Sequence, residues 1–135
     1  MYEFHGWATF RESTGIGEED NLEKIIDSVK LFIKELNWTN SGILDIRAVN
    51  GEYHLSVSGF TNHKGKDAED VLNLYKFIAQ SAPGSYGMLY IRDDEDRNGN
   101  DNSFQVLVLS RGSINERKDQ FLSPYIPTVE DECYD

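Results

Sequence analysis

Residues 43–60, ILDIRAVNGEYHLSVSGF, decide how this chain folds. Two alternating stretches, 43–49 and 52–60, flank Asn50-Gly51, the pair favoured where both residues of a two-residue type I′ turn need positive φ. Such a turn sets Val49 against Glu52, Arg47 against His54, Ile46 against Leu55, Asp45 against Ser56 and Leu44 against Val57. In that register Leu44, Ile46, Ala48, Tyr53, Leu55 and Val57 share one face, while Asp45, Arg47, His54, Ser56 and Ser58 share the other. A slip of one residue would send the apolar set to solvent, so turn and pattern specify the same pairing. One face is core and the other is largely polar.

Before the hairpin, residues 2–11 alternate as a strand, with Tyr2, Phe4, Gly6, Ala8 and Phe10 on one face and Glu3, His5, Trp7, Thr9 and Arg11 on the other. Leu22, Ile25, Ile26, Val29, Phe32, Ile33 and Leu36 then recur at helical spacing, predicting an amphipathic helix over 18–37. Glu18, Glu19 and Asp20 suit the positive end of its dipole, and Asn40-Ser41-Gly42 breaks it. After the hairpin, Ala68, Val71, Leu72, Tyr75, Ile78 and Ala79 stripe a second helix that Asp67 can cap and Ala82-Pro83-Gly84 ends. Residues 86–92 and 104–111 read as two further strands. From Gly112 the chain is polar and carries Pro124 and Pro127, so residues 112–135 are expected as an irregular, acidic C-terminal tail. The order β-α-β-β-α-β-β predicts a single α+β domain over 1–135: one mostly antiparallel sheet, both helices on one face, similar to a ferredoxin-like arrangement with an added strand.

Composition narrows function by exclusion. The chain has 135 residues, the length of one domain, and a formal charge of −11. Five acids and one arginine lie within 93–101, and five acids with no lysine or arginine lie within 119–135. A field of that sign repels nucleic acid and steers basic partners. No apolar run approaches the roughly 20 residues of a membrane helix. No signal-peptide pattern opens the chain, and Cys133, the single cysteine, cannot form an internal disulfide, so a cytoplasmic, soluble protein is expected.

Residues 93–102, DDEDRNGNDN, resemble the start of a calcium loop, with Asp94, Asp96, Asn98 and Gly99 in place. The twelfth position, however, is Gln105, which cannot supply a bidentate carboxylate, and both flanks read as strands rather than helices. A hairpin with Asn98-Gly99 at its tip is the expectation; neither metal nor cofactor is assigned. His5, His54 and His63 sit in separate elements, without zinc-ligand spacing, and no nucleophile elbow or phosphate loop is present. Catalysis is therefore not expected. What remains is an interaction surface: Asp93, Asp94, Glu95 and Asp96 for electrostatic steering, the Glu130-Asp131-Glu132 cluster, and Trp7 with Arg47 and His54 on the open sheet face.

Four blocks, MYEFHGWATFRES at the start, LDIRAVNGEYHLSVSGFTNHKG in the hairpin, APGSYGMLYIRDDED after the second helix and FLSPYIPTVED in the tail, resemble the immunity protein 7 family of bacterial polymorphic toxin systems. The resemblance implies a small cytoplasmic protein that binds and neutralises the C-terminal domain of a toxin encoded beside it, with no catalysis of its own. Many such toxins are nucleases with basic clefts, a fitting partner for an acidic protein. Two alternatives remain open: a small ligand-binding domain or enzyme using His5 and His54 on the open sheet face, and an acidic metal-buffering module.

Overall fold

A computed structural model describes residues 1–17, 19–38 and 42–133. Among these, the elements run β1 (Tyr2–Thr9), α1 (Leu22–Leu36), β2 (Gly42–Val49), β3 (Glu52–Thr61), α2 (Lys66–Ser81), β4 (Tyr86–Asp93), β5 (Gln105–Ser110) and β6 (Ser113–Lys118), followed by one kinked helical turn at Tyr125–Thr128. The strands form one antiparallel sheet in the order β2-β3-β1-β4-β5-β6. The first four reproduce the split arrangement of a ferredoxin-like fold, and β5 and β6 extend it as a meander.

The hairpin forms as its sequence dictates. Asn50 and Gly51 both have positive φ, and all five cross-strand pairs expected from that turn are present. β1 lies centrally between β3 and β4, where its alternation places Phe4 and Ala8, both fully buried, against the helices. They join Leu55, Leu89 and Leu109 from the sheet, Ile26 and Val29 from α1, and Val71, Leu74, Tyr75 and Ile78 from α2 in one core cluster. Both helices therefore cover the same face. Position 6 in that layer has no side chain because Tyr75 occupies the space: a Cβ there would lie 2.4 Å from the Tyr75 hydroxyl. The hydroxyl donates between the carbonyls of Met88, at 3.0 Å, and Trp7, at 3.2 Å.

Three expectations are corrected. The chain from Gly112 is not irregular throughout, because Ser113–Lys118 pairs with β5 as a sixth strand. α1 begins at Leu22, with residues 19–21 outside it: the Glu12 carboxylate accepts from the Asn21 amide and side chain, and Glu19 accepts from the Glu12 amide. Asp67 does not cap α2, since it lies inside the first turn and Gly65 holds the cap position. The first helix closes at Asn37, in the left-handed region with φ 56°. Glu18 and the Asn40-Ser41 part of the expected break lie outside the described residues.

The tail beyond β6 folds back onto the open face. Asp119 is buried and accepts from the Phe121 and Leu122 amides and the Ser123 hydroxyl, at 2.8 to 3.0 Å. Asn102 clasps Ile126 at both amide atoms, accepting from its N–H at 2.8 Å and donating to its carbonyl at 3.1 Å. These bonds hold an otherwise aperiodic segment in one place.

Candidate functional site

Opposite the helices, the register places His5, Trp7 and Thr9 of β1 between Ser58, Ser56 and His54 of β3 and Tyr90, Met88 and Tyr86 of β4. The docked tail divides this face. At one end Tyr125 stacks over the Arg92 guanidinium at 3.7 Å and packs against Phe104, which in turn meets Tyr90. Arg92 is buried and donates through Nε to Glu3 at 2.7 Å, while the other Glu3 oxygen meets His5 Nε2 at 2.8 Å. The buried charges are thus matched by hydrogen-bonded partners, as low local dielectric requires. At the other end Trp7 remains 46% exposed, with its ring edge-on to Tyr86 at 6.0 Å and Met88 beside it in register. The tail covers Arg92 rather than Trp7.

The two acidic stretches meet at the tail end. Asp94, Asp101 and Glu130 line one groove of about 670 Å³, together with Met1, Arg92, Asn102, Tyr125 and Ile126. The acids divide into those that build the loop and those that project from it. Asp93 accepts from the Glu95 amide, and Asp96 from the amides of Asn98 and Asn100, so both fold the connection between β4 and β5. Glu95 meets His63 and the N-terminal amine. Asp94 binds that amine directly; the hydrogen bond holds its carboxyl below the usual carboxylate range and raises the amine. Asp101, Glu130, Asp131 and Glu132 are exposed. Gly99 turns the loop with φ 89°. Two of the would-be calcium ligands are therefore engaged by protein donors, and among the described residues no group of three acidic, histidine or cysteine side chains could hold a metal ion.

The remaining candidates lie apart from this groove. Arg47 pairs with Asp45 on the exposed edge strand β2, and His54 meets the Thr9 hydroxyl at 3.1 Å. His54 lies opposite Thr9, four positions along β1 from His5, which separates the two histidines by about 14 Å along the strand. They cannot act on the same bond. The sequence alone does not mark Asp101, Tyr125, Tyr86 or Met88. Asp101 lies within the acidic run 93–101, whereas the approach of Tyr125 depends on a tail with no periodic signal.

Burial alone would push the Asp119 carboxyl up, but hydrogen bonds from Phe121, Ser123, Leu122 and Tyr90 outweigh it and hold the group below its ordinary value. Hydrogen bonds of Tyr125 and Ile126 with Asn102 place the tail beside the β4–β5 loop. No helix among the described residues is long and apolar enough to cross a membrane. Neither the curated proteins nor the solved structures contain a match to the chain. The family model described as Immunity protein 7 matches residues 1–131, nearly the whole length, and implies an immunity protein of a toxin system that binds its cognate toxin. The match covers nearly the whole length of the chain, and the chain belongs to the Immunity protein 7 family.

Proposed function

We propose that the chain neutralises, in the bacterial cytoplasm, a cognate polymorphic toxin whose C-terminal domain is a nuclease, and that its acidic end docks on the basic substrate surface of that domain. The observation that carries this reading is the convergence of Asp94, Asp101 and Glu130 on one groove, although 36 residues separate Asp94 from Glu130 in the chain. Opposite charge at the rim accelerates encounter and fixes orientation, while desolvated aromatic anchors supply most of the affinity. Trp7 and Tyr86 are suitable anchors: Trp7 lies opposite Met88, five residues along β4 from Asp93, or about 17 Å. One interface of about 800 Å² per partner spans that distance. His54 and Arg47 lie at its far margin.

The test uses the C-terminal domain of the toxin encoded in the adjacent reading frame. Degradation of nucleic acid by that domain should stop at one equivalent of this chain, and the two should elute as one complex. Undiminished degradation in the presence of excess chain would overturn the reading, as would a toxin domain without nuclease activity.

A further inference from the structure

β2 is an edge of the sheet, and its outer side carries no strand among the described residues. The direction of its backbone groups follows from the hairpin. In a two-residue turn the flanking pair, here Val49 and Glu52, exchanges both hydrogen bonds. Alternation then points the N–H and C=O groups of Asp45 and Arg47 toward β3, and those of Leu44, Ile46 and Ala48 toward the free edge. An independent contact agrees: the Tyr53 carbonyl accepts from the Phe10 amide at 3.0 Å, on the β1 side, so its neighbour His54, opposite Arg47, faces β2.

Read from its centre, β2 has a two-fold chemical pattern. Ile46 is flanked by Asp45 and Arg47, then by Leu44 and Ala48, then by Ile43 and Val49. We propose that β2 pairs antiparallel with β2 of a second copy about a two-fold axis at Ile46, joining two sheets into one. In that pairing Leu44, Ile46 and Ala48 supply outward-pointing donors and acceptors to their counterparts. Asp45 stands against Arg47 twice, at positions without backbone hydrogen bonds, where Cα atoms approach to about 4.5 Å and side chains interact most closely. Ile43, 64% exposed, and Val49, 56% exposed, cover one another at both ends.

The register is specific. Moving the axis to Leu44 sets Asp45 against Ile43, and moving it to Ala48 sets Arg47 against Val49; both leave charges opposite apolar side chains. The opposite edge, β6, carries Glu116, Arg117 and Lys118 in succession, a charge run of the kind that discourages pairing. The acidic groove lies at the exit of β4, three strands or about 14 Å from β2, so both copies keep that end open. This assembly does not depend on what the acidic end binds.

The experiment is sedimentation equilibrium of the purified chain alone, from micromolar to submillimolar concentration. The expected mass at the upper end is twice the 15.4 kDa of the chain. Asp45→Arg and Arg47→Asp each place like charges opposite one another at two positions and should weaken the dimer by at least about ten-fold. Mixing these two variants restores opposite charges at both positions and should restore the dimer, as should the double variant D45R/R47D. Both side chains are exposed, so folding is not at issue. A chain that stays monomeric throughout, or a dimer indifferent to both single substitutions, overturns the proposal. So does a β2 edge that accepts a strand only from the toxin domain.

Discussion

Replacing Gly6 by alanine tests the packing on which the central strand depends. The added methyl would sit 2.4 Å from the Tyr75 hydroxyl, 2.8 Å from Leu89 Cδ1 and 2.9 Å from the Met88 carbonyl. Tyr75 is fully buried, and its hydroxyl is hydrogen-bonded across β1 and β4, so it has no free direction in which to yield. Overpacking of this kind costs about 1–3 kcal/mol. Displacing the hydroxyl from its carbonyl partners adds about 0.5–1.5 kcal/mol. The lower backbone entropy of alanine in the unfolded chain offsets about 0.4–1 kcal/mol of this. Gly6→Ala should therefore destabilise by about 2–3 kcal/mol, a fall in Tm on the order of 3–4 °C per kcal/mol for a chain of this size.

Tyr75→Phe alone should cost about 1 kcal/mol. The informative measurement is the double variant, compared with both singles by urea denaturation. Removing the hydroxyl removes the nearest clash, and its hydrogen bond cannot be lost twice. The double variant should therefore be no less stable than Gly6→Ala alone. If the two costs added within about 0.5 kcal/mol, the residues would be uncoupled and the account of this layer wrong.

Three further outcomes follow from the tail, the open face and the core. Asp119→Asn should loosen the tail. Because the folded carboxyl titrates below its ordinary value, the wild-type contribution is present above about pH 4 and is lost as pH falls through the depressed value; the variant should lack that acid-dependent loss, read as amide exchange at Phe121 and Leu122 against pH. Trp7→Ala should weaken toxin binding by about 2 kcal/mol or more, as at interface hot spots, while leaving Tm within about 2 °C because the ring is half exposed. Phe4→Ala, at a fully buried site, should show the converse, costing about 3–5 kcal/mol of stability.

The parts of the fold legible in the sequence were those governed by local rules. Asn50-Gly51 demands positive φ at both positions, and the alternation around it admits one register. α2 carries a continuous apolar stripe. β6 escaped because its turn is Arg111-Gly112, both at positive φ, outside the Asn-Gly and Asp-Gly pairs that mark such turns. Its inward face also offers a single apolar residue, Ile114, opposite Leu109. The acidic run before α1 resembles a helix start, but Glu19 serves the Glu12 amide rather than a helix dipole. The acidic residues were visible as charge, but sequence could not separate Asp96, used to fold its own loop, from Asp101 and Glu130, which line the groove. That distinction requires the docked tail, whose bonds through Asp119 and Asn102 join residues without periodic spacing.

The most direct test of the central claim is the rate of association with the toxin domain as a function of salt, for the wild type and for Asp101→Lys/Glu130→Lys. Neither side chain folds the loop, so the substitutions change charge while leaving the scaffold in place. The wild-type rate should be steered, falling about ten-fold or more between low and high ionic strength, and the variant should start slower and respond weakly to salt. Equal rates and equal salt dependence for the two proteins would contradict docking through the acidic end.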